Sequence, residues 1–302
     1  MAMKRNEIFN IRRFGRYFTT DFKTCTANFG LSLLTISILI PVVLYVLTIV
    51  FNGIFGQVWD GPGIGLRAFT FFIAIFCLTV TMPAKCYGKL TEKMYGAFWI
   101  NLPASKLEKF LSMILMCCLV IPVIGISIYL TLDQVLCLMD KTCGDGIMTF
   151  ALSLIRDMGG IMDEIVAKIA DIPPTEAEDM LPPDVMIDLF EQLTSPWLYI
   201  DEFIVMVLPF LLGAIVFKNN KIVKTFLALA AFSTIISMAA TPIYAGYYIE
   251  LLNGAVDEEE LALRMFNSGL FRNIVWVDII SDTLTNAILL LCIWFRIKTL
   301  KH

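Results

Sequence analysis

Residues 101–132 read NLPASKLEKFLSMILMCCLVIPVIGISIYLTL, and the change of character inside this stretch decides the fold. Pro103 breaks the chain. Ser105 with Glu108 three residues later is a capping-box signature, so a helix starts at the serine. From Phe110 to Leu132 there are 23 residues without one Asp, Glu, Lys or Arg. A helix needs about 20 mostly apolar residues to cross the hydrocarbon core of a bilayer. The stretch therefore reads as a polar helix start that runs directly into a transmembrane span.

Working outward, five more segments have that length and character: 31–55, 66–84, 197–217, 222–244 and 275–295, giving six spans with 110–132. Pro41, Pro122 and Pro209 fall inside spans, where proline is better tolerated than in soluble helices. The composition agrees: 58% of the 302 residues are hydrophobic and 17% are charged, against about 25% charged in a soluble domain. The fold class is an all-α membrane protein. No cleavable signal peptide is expected, because residues 1–30 are charged and aromatic and no small-residue site precedes the first span.

The basic residues alternate between loops. Lys4, Arg5, Arg12, Arg13, Arg16 and Lys23 precede the first span. Lys85, Lys89, Lys93, Lys106 and Lys109 lie between the second and third. Lys218, Lys221 and Lys224 lie between the fourth and fifth, and Arg296, Lys298 and Lys301 follow the sixth. The other loops are poor in Lys and Arg: 56–65 has none, 133–195 has Lys141, Arg156 and Lys168, and 245–274 has Arg264 and Arg272. The positive-inside rule places both termini in the cytoplasm, and the expected location is a bacterial cytoplasmic membrane.

The organisation expected is a basic segment 1–30, spans one to three over 31–132 with a cytoplasmic loop 85–109, an extracytoplasmic insertion 133–196, spans four to six over 197–295 and a tail 296–302. In the first segment Ile8, Ile11, Phe14, Phe18 and Phe22 recur at helical spacing between arginines. That pattern suggests an amphipathic helix in the cytoplasmic interface, with Arg12, Arg13 and Arg16 against anionic headgroups. The alternative is a basic flank that only sets topology. The acidic insertion repeats Ile147, Phe150, Leu154, Met158, Ile161, Ile165 and Ile169 every three or four residues, so a small helical cap is expected there. Pro173–Pro174 and Pro182–Pro183 break it, and a short helix over 184–193 follows. Its partner stays open: the cap itself, the membrane surface or a second copy.

Little points to covalent chemistry, and the chain is expected not to be an enzyme. Glu259, Glu260 and Arg264 spell EExxxR, a motif of intramembrane prenyl-protein proteases, but those need histidines on neighbouring helices and the lone histidine is His302. Asp278 and Asp282 lie one turn apart on the sixth span. The 13 residues 283–295 make only about 20 Å of helix, short of a core of about 30 Å, so Asp282 lies within the outer part of the bilayer. Acids there usually face a bundle interior or an aqueous path. Both aspartates are candidates for a polar pathway or an interhelical contact, with a plain helix-start role near the positive dipole end as the alternative. An aspartyl intramembrane protease would need two aspartates on separate helices facing each other, and the fourth span offers only Asp201 and Glu202, near its outer end. No phosphate-binding G-x-x-x-x-G-K-[ST] loop occurs. The eight cysteines lack metal-ligand spacing, and no metal is expected. Most read as small packing residues, while Cys137 and Cys143, both in the outer loop, are a candidate disulfide.

The loop before the third span resembles the membrane subunits of type-2 ATP-binding-cassette exporters. There the second and third of six spans are joined by a cytoplasmic segment ending in a pattern like L-P-[VA]-S-x-x-E. Here Leu102, Pro103, Ala104, Ser105, Lys106, Leu107 and Glu108 stand in that order. The large outer insertion is not a general feature of that family, and its upstream motif is only loosely echoed by Thr91, Glu92 and Gly96. The resemblance implies a permease that works as a dimer of membrane subunits and pairs with a separate cytoplasmic ATPase. ATP would then be bound by the partner and no cofactor by this chain; no nucleic acid is expected. On that reading the segment 91–109 is touched by the ATPase. Phe98, Trp99 and Leu102 would supply the apolar contact, Pro103 the break, Ser105 and Glu108 the helix start, and Lys106 and Lys109 would face the partner or headgroups. A proline turn with a good helix cap is the plainer account of the same residues. The rival functional reading is a membrane scaffold or sensor, without transport, that works through its acidic cap.

Overall fold

Apolar runs of this length satisfy their backbone groups within a bilayer by forming helices, and helices are what the chain forms. The computed structural model describes residues 9–55, 61–153, 156, 196–252 and 270–299. Its helices are α1 (Ile11–Phe55), α2 (Ile64–Tyr87), α3 (Lys93–Asn101), α4 (Lys106–Leu115), α5 (Ile121–Met139), α6 (Pro196–Val216), α7 (Lys221–Leu252) and α8 (Leu270–Thr299), with short 3₁₀ turns at Gly88–Thr91 and Lys141–Cys143. No strand occurs among the described residues. Six helical stretches are long and apolar enough to cross a membrane, which makes the chain multi-pass by length and composition. The expected helix at 184–193, most of the acidic insertion and the EExxxR stretch lie outside the described residues.

The basic segment and the first span form one helix. α1 has 45 residues, about 67 Å at 1.5 Å per residue and more than twice a hydrocarbon core of about 30 Å. No separate interfacial helix precedes it among the described residues. The buried face also differs from the apolar stripe. Phe14, Phe18 and Phe22 are half-buried and Ile11 is exposed, whereas Tyr17, Asp21, Cys25, Phe29, Leu33, Ser37 and Pro41 are buried. That is a shift of one residue, about 100° around the helix. Asp21 gains hydrogen bonds inside the protein from Tyr87 and Ser112, and the half-buried phenylalanines pack in part on one another, Phe14 and Phe18 with ring centres 5.8 Å apart.

The third span begins earlier and ends later than its apolar run. α4 and α5 are joined by a π-helical turn at Met116–Val120, where the Ile121 amide donates to the Met116 carbonyl five residues back. Pro122 explains the wide turn: it has no N–H, and its ring would press on the carbonyl four residues earlier in a regular helix. α5 continues to Met139, so residues 133–139, assigned by sequence to the outer insertion, extend this span instead. Beyond it, residues 147–153 are helical.

The chain divides into two units, Met1–Ile155 with Met206–Lys224 and Leu289–His302, and Arg156–Val205 with Thr225–Ile288. The core of the first is where α1, α2 and α5 pack together. On α1 the buried residues recur every fourth position from Tyr17 to Pro41. On α5 they are Ile121, Gly125, Tyr129, Asp133 and Cys137, and on α2 Ala74, Leu78, Met82 and Cys86. Such i±4 ridges interdigitate. Small residues mark the closest approach: a Cβ on Gly125 would lie 2.7 Å from Leu78 Cδ1 and 3.5 Å from Ser37 Oγ.

Candidate functional site

At the basic end of the first unit, α3 and α4 form the helix–break–helix expected from the LPAS sequence. Ser105 Oγ accepts from the Glu108 amide at 3.2 Å, and Glu108 Oε2 accepts from the Ser105 amide at 2.9 Å. This is the complete capping box. The sequence did not reveal what else the carboxylate does. Glu108 is fully buried and also accepts from the Asn10 amide at 2.8 Å and from Arg13, with Nε at 2.8 Å from Oε2 and Nη2 at 2.9 Å from Oε1. One carboxylate thus joins the start of α1 to the start of α4. Arg13, expected on headgroups, is a bidentate partner of Glu108, while Arg12 and Arg16 remain exposed.

Two further expectations change. Trp99 is 6% exposed and Lys109 3%, so neither faces outward. Lys109 Nζ donates to the carbonyls of Trp99 at 2.8 Å and Ile100 at 3.0 Å, and lies 5.0 Å from the centre of the Trp99 ring. It satisfies the end of α3, whose last carbonyls have no partner within the helix. Lys106 is exposed, but its Nζ donates to the Lys298 carbonyl at the end of α8 at 2.9 Å. The apolar part of the outward face includes Met94 (90% exposed) and Phe98 (64%), one turn apart on α3, with exposed Ile100 and Pro103 and half-buried Leu102, and Glu92, Lys93, Asn101 and Lys106 are exposed beside them.

Lys221, the first residue of α7, repeats this pattern. Its Nζ donates to the Gly88 carbonyl, to Thr91 Oγ1 at 2.8 Å and to the Ala214 carbonyl at 3.4 Å. Behind these contacts Asp21 Oδ2 accepts from Tyr87 Oη at 2.9 Å and Ser112 Oγ at 2.5 Å, tying α1, α2 and α4 together in the interior.

At the opposite end of α2, Arg67 organises the turn that follows α5. It pairs with Asp133 at 3.2 Å, both side chains being 5% exposed. All five of its N–H donors are used: Nε on the Pro62 carbonyl, Nη1 on Asp133 and Cys137 Sγ, and Nη2 on the Cys143 and Asp145 carbonyls at 2.8 and 2.7 Å. Cys137 and Cys143, the candidate disulfide, are free thiols here, both buried. Burial, with Asp140 adding, pushes the Cys143 thiol up from its ordinary value.

In the second unit Asp201 joins two helices. Its Oδ1 accepts from Asn286 Nδ2 at 2.6 Å and its Oδ2 from Thr283 Oγ1 at 3.0 Å, so α6 and α8 are joined by hydrogen bonds. Asp282, a candidate for the polar pathway, is half-buried on α8. The side chain of its companion Asp278 lies outside what is described. Among the described residues no group of three or more His, Cys, Asp or Glu is placed to hold a metal ion.

Fold and site define a multi-pass helical membrane protein with an ordered helix–break–helix before its third span. No protein-family model, curated protein or solved structure matches the chain.

Proposed function

We propose that this chain is the permease subunit of an ATP-driven exporter, coupled to a separate cytoplasmic ATPase through residues 91–109. The observation that carries the reading is the fully buried Glu108 carboxylate, shared between the capping box and Arg13. A segment that merely connects two spans needs no such anchorage; a lever does. Lys109 holds α3 to α4, Glu108 holds α4 to α1, and α4 continues through the π turn into the third span. A push on exposed Met94 and Phe98 would then reach the membrane without being lost in a flexible loop. The π turn supplies a place where the span can bend. Trp99 positions the lever from inside, and Phe98 takes its place as the contact residue.

The exporter works as a dimer of membrane subunits in a bacterial inner membrane, with both termini cytoplasmic. The test is co-purification in mild detergent from the native cell, followed by ATP hydrolysis. Capture of an ATP-binding-cassette ATPase, weakened by Phe98→Ala with Met94→Ala, is the expected result. If the wild-type chain captures no ATPase, the exporter reading fails and a membrane scaffold or sensor takes its place.

A further inference from the structure

A cavity of about 520 Å³ opens between the first turns of α1 and the break before α4. One wall carries Arg12, Arg13 and Arg16, with Thr20 a turn further along; Leu102 and Pro103 stand opposite. The wall holds no acid among the described residues. Glu108 neutralises one guanidinium, and its oxygens are already occupied by Arg13 and by the Asn10 and Ser105 amides. Arg12 and Arg16 are exposed and form no ion pair among the described residues. Among the described residues, three guanidiniums against one carboxylate leave two positive charges facing one concave space.

The geometry points to a binding site for a phosphate ester, the headgroup of an acidic phospholipid, in this cavity. Guanidinium forks match the oxygens of a phosphate better than ammonium groups do. The cavity is far larger than an inorganic ion requires, and its far wall is apolar, which suits a group with an organic portion. Ile11 and Phe9, 69% and 39% exposed beside it, can lie among acyl chains. Because Arg13 is shared with Glu108 and Pro103 forms the opposite wall, an occupied site braces α1 against the break before α4. The inference holds whether or not the chain is an exporter.

The test uses the full-length chain in detergent, with phosphatidylglycerol or phosphatidylcholine added and retained lipid read by native mass spectrometry. The wild type is expected to retain phosphatidylglycerol selectively, and Arg12→Gln with Arg16→Gln to bind it about thirtyfold more weakly, the effect of two arginines near a membrane surface. Thr20→Trp keeps every charge but fills the cavity, and it too should lose the lipid. These positions are exposed, so unfolding temperatures should match the wild type. Displacement of the lipid by orthophosphate would identify a soluble phosphate compound as the occupant of the same site; resistance to it identifies the lipid. Equal retention of both lipids by the wild type overturns the site. So does undiminished retention by Thr20→Trp, which would reduce the arginines to diffuse surface charge.

Discussion

The Glu108 carboxylate receives two backbone amides and a guanidinium while shielded from water. Hydrogen bonds to a buried charge are worth about 1.5–3 kcal/mol each, so Glu108→Ala is expected to lower stability by about 3 kcal/mol, read as thermal unfolding in detergent. Arg13 is 35% exposed, and its own loss should cost less because water replaces part of the contact. A double-mutant cycle between the two should give losses that do not add; additive losses would show that the pair is incidental. Arg67 is the harsher case, because both partners are buried. Arg67→Met leaves Asp133 charged and unpaired, which costs about 3–5 kcal/mol. Adding Asp133→Leu should recover the part of that loss due to the unpaired carboxylate, while the Ile147 amide and the carbonyls held by Arg67 stay without those partners. If the double variant is no better than the single one, the backbone carbonyls held by Arg67 matter more than the ion pair.

For the helices, the close approach of α5 to α1 and α2 makes Gly125 the sensitive position. Gly125→Ala puts a methyl against Leu78, itself 3% exposed with little room to move. Overpacking of this kind costs about 1–3 kcal/mol. Gly53→Ala, also on a helix but with nothing within 4 Å, should instead raise stability by up to about 1 kcal/mol. Opposite shifts in unfolding temperature are therefore expected from the same substitution at two helical glycines. Equal shifts would mean that α5 does not approach as closely as described.

The whole molecule shows a regularity in its cations. Lys109 caps α3, Lys221 reaches the last turn of α6 and the end of α2, Arg296 donates to Ile215 of α6 at 3.3 Å, and Lys106 caps α8. α2, α6 and α8 contain the even-numbered spans, whose C-terminal ends carry the negative pole of the helix dipole. The basic residues that the positive-inside rule counts thus also satisfy backbone carbonyls at the ends of these helices. In a cysteine-free background, a cysteine at exposed Gly63 should label from outside the cell, and cysteines at Asn101 and Asn219 should not. Gly61 is unsuitable, because a Cβ there would collide with the Cys143 thiol. Outside labelling at Asn101 would refute both the topology and the ATPase contact. Cys137 and Cys143 lie at the opposite end, so mild oxidation should join them with a loss of two hydrogens in mass. Because the Cys143 thiol is pushed up, its reactive thiolate is scarce at neutral pH and the rate should rise with pH.

Patterns local in the chain were legible in it. Six apolar runs produced six helices because length and hydrophobicity suffice for that. The capping box at Ser105 and Glu108 formed because both its partners lie within one turn. The same locality accounts for α3 and for the break at Pro103. What only the tertiary structure decided is which polar residues meet. Arg13 finds Glu108 and Arg67 finds Asp133 across 95 and 66 residues of chain, a pairing that no spacing encodes. The buried face of α1 sits one residue off its phenylalanines, and the acid on it, Asp21, is met there by Tyr87 and Ser112 from α2 and α4. The physical reason is that a buried carboxylate needs hydrogen bonds, while lipid accepts an apolar side chain about as well as a core does, so apolar periodicity alone does not say which face of a membrane helix turns inward.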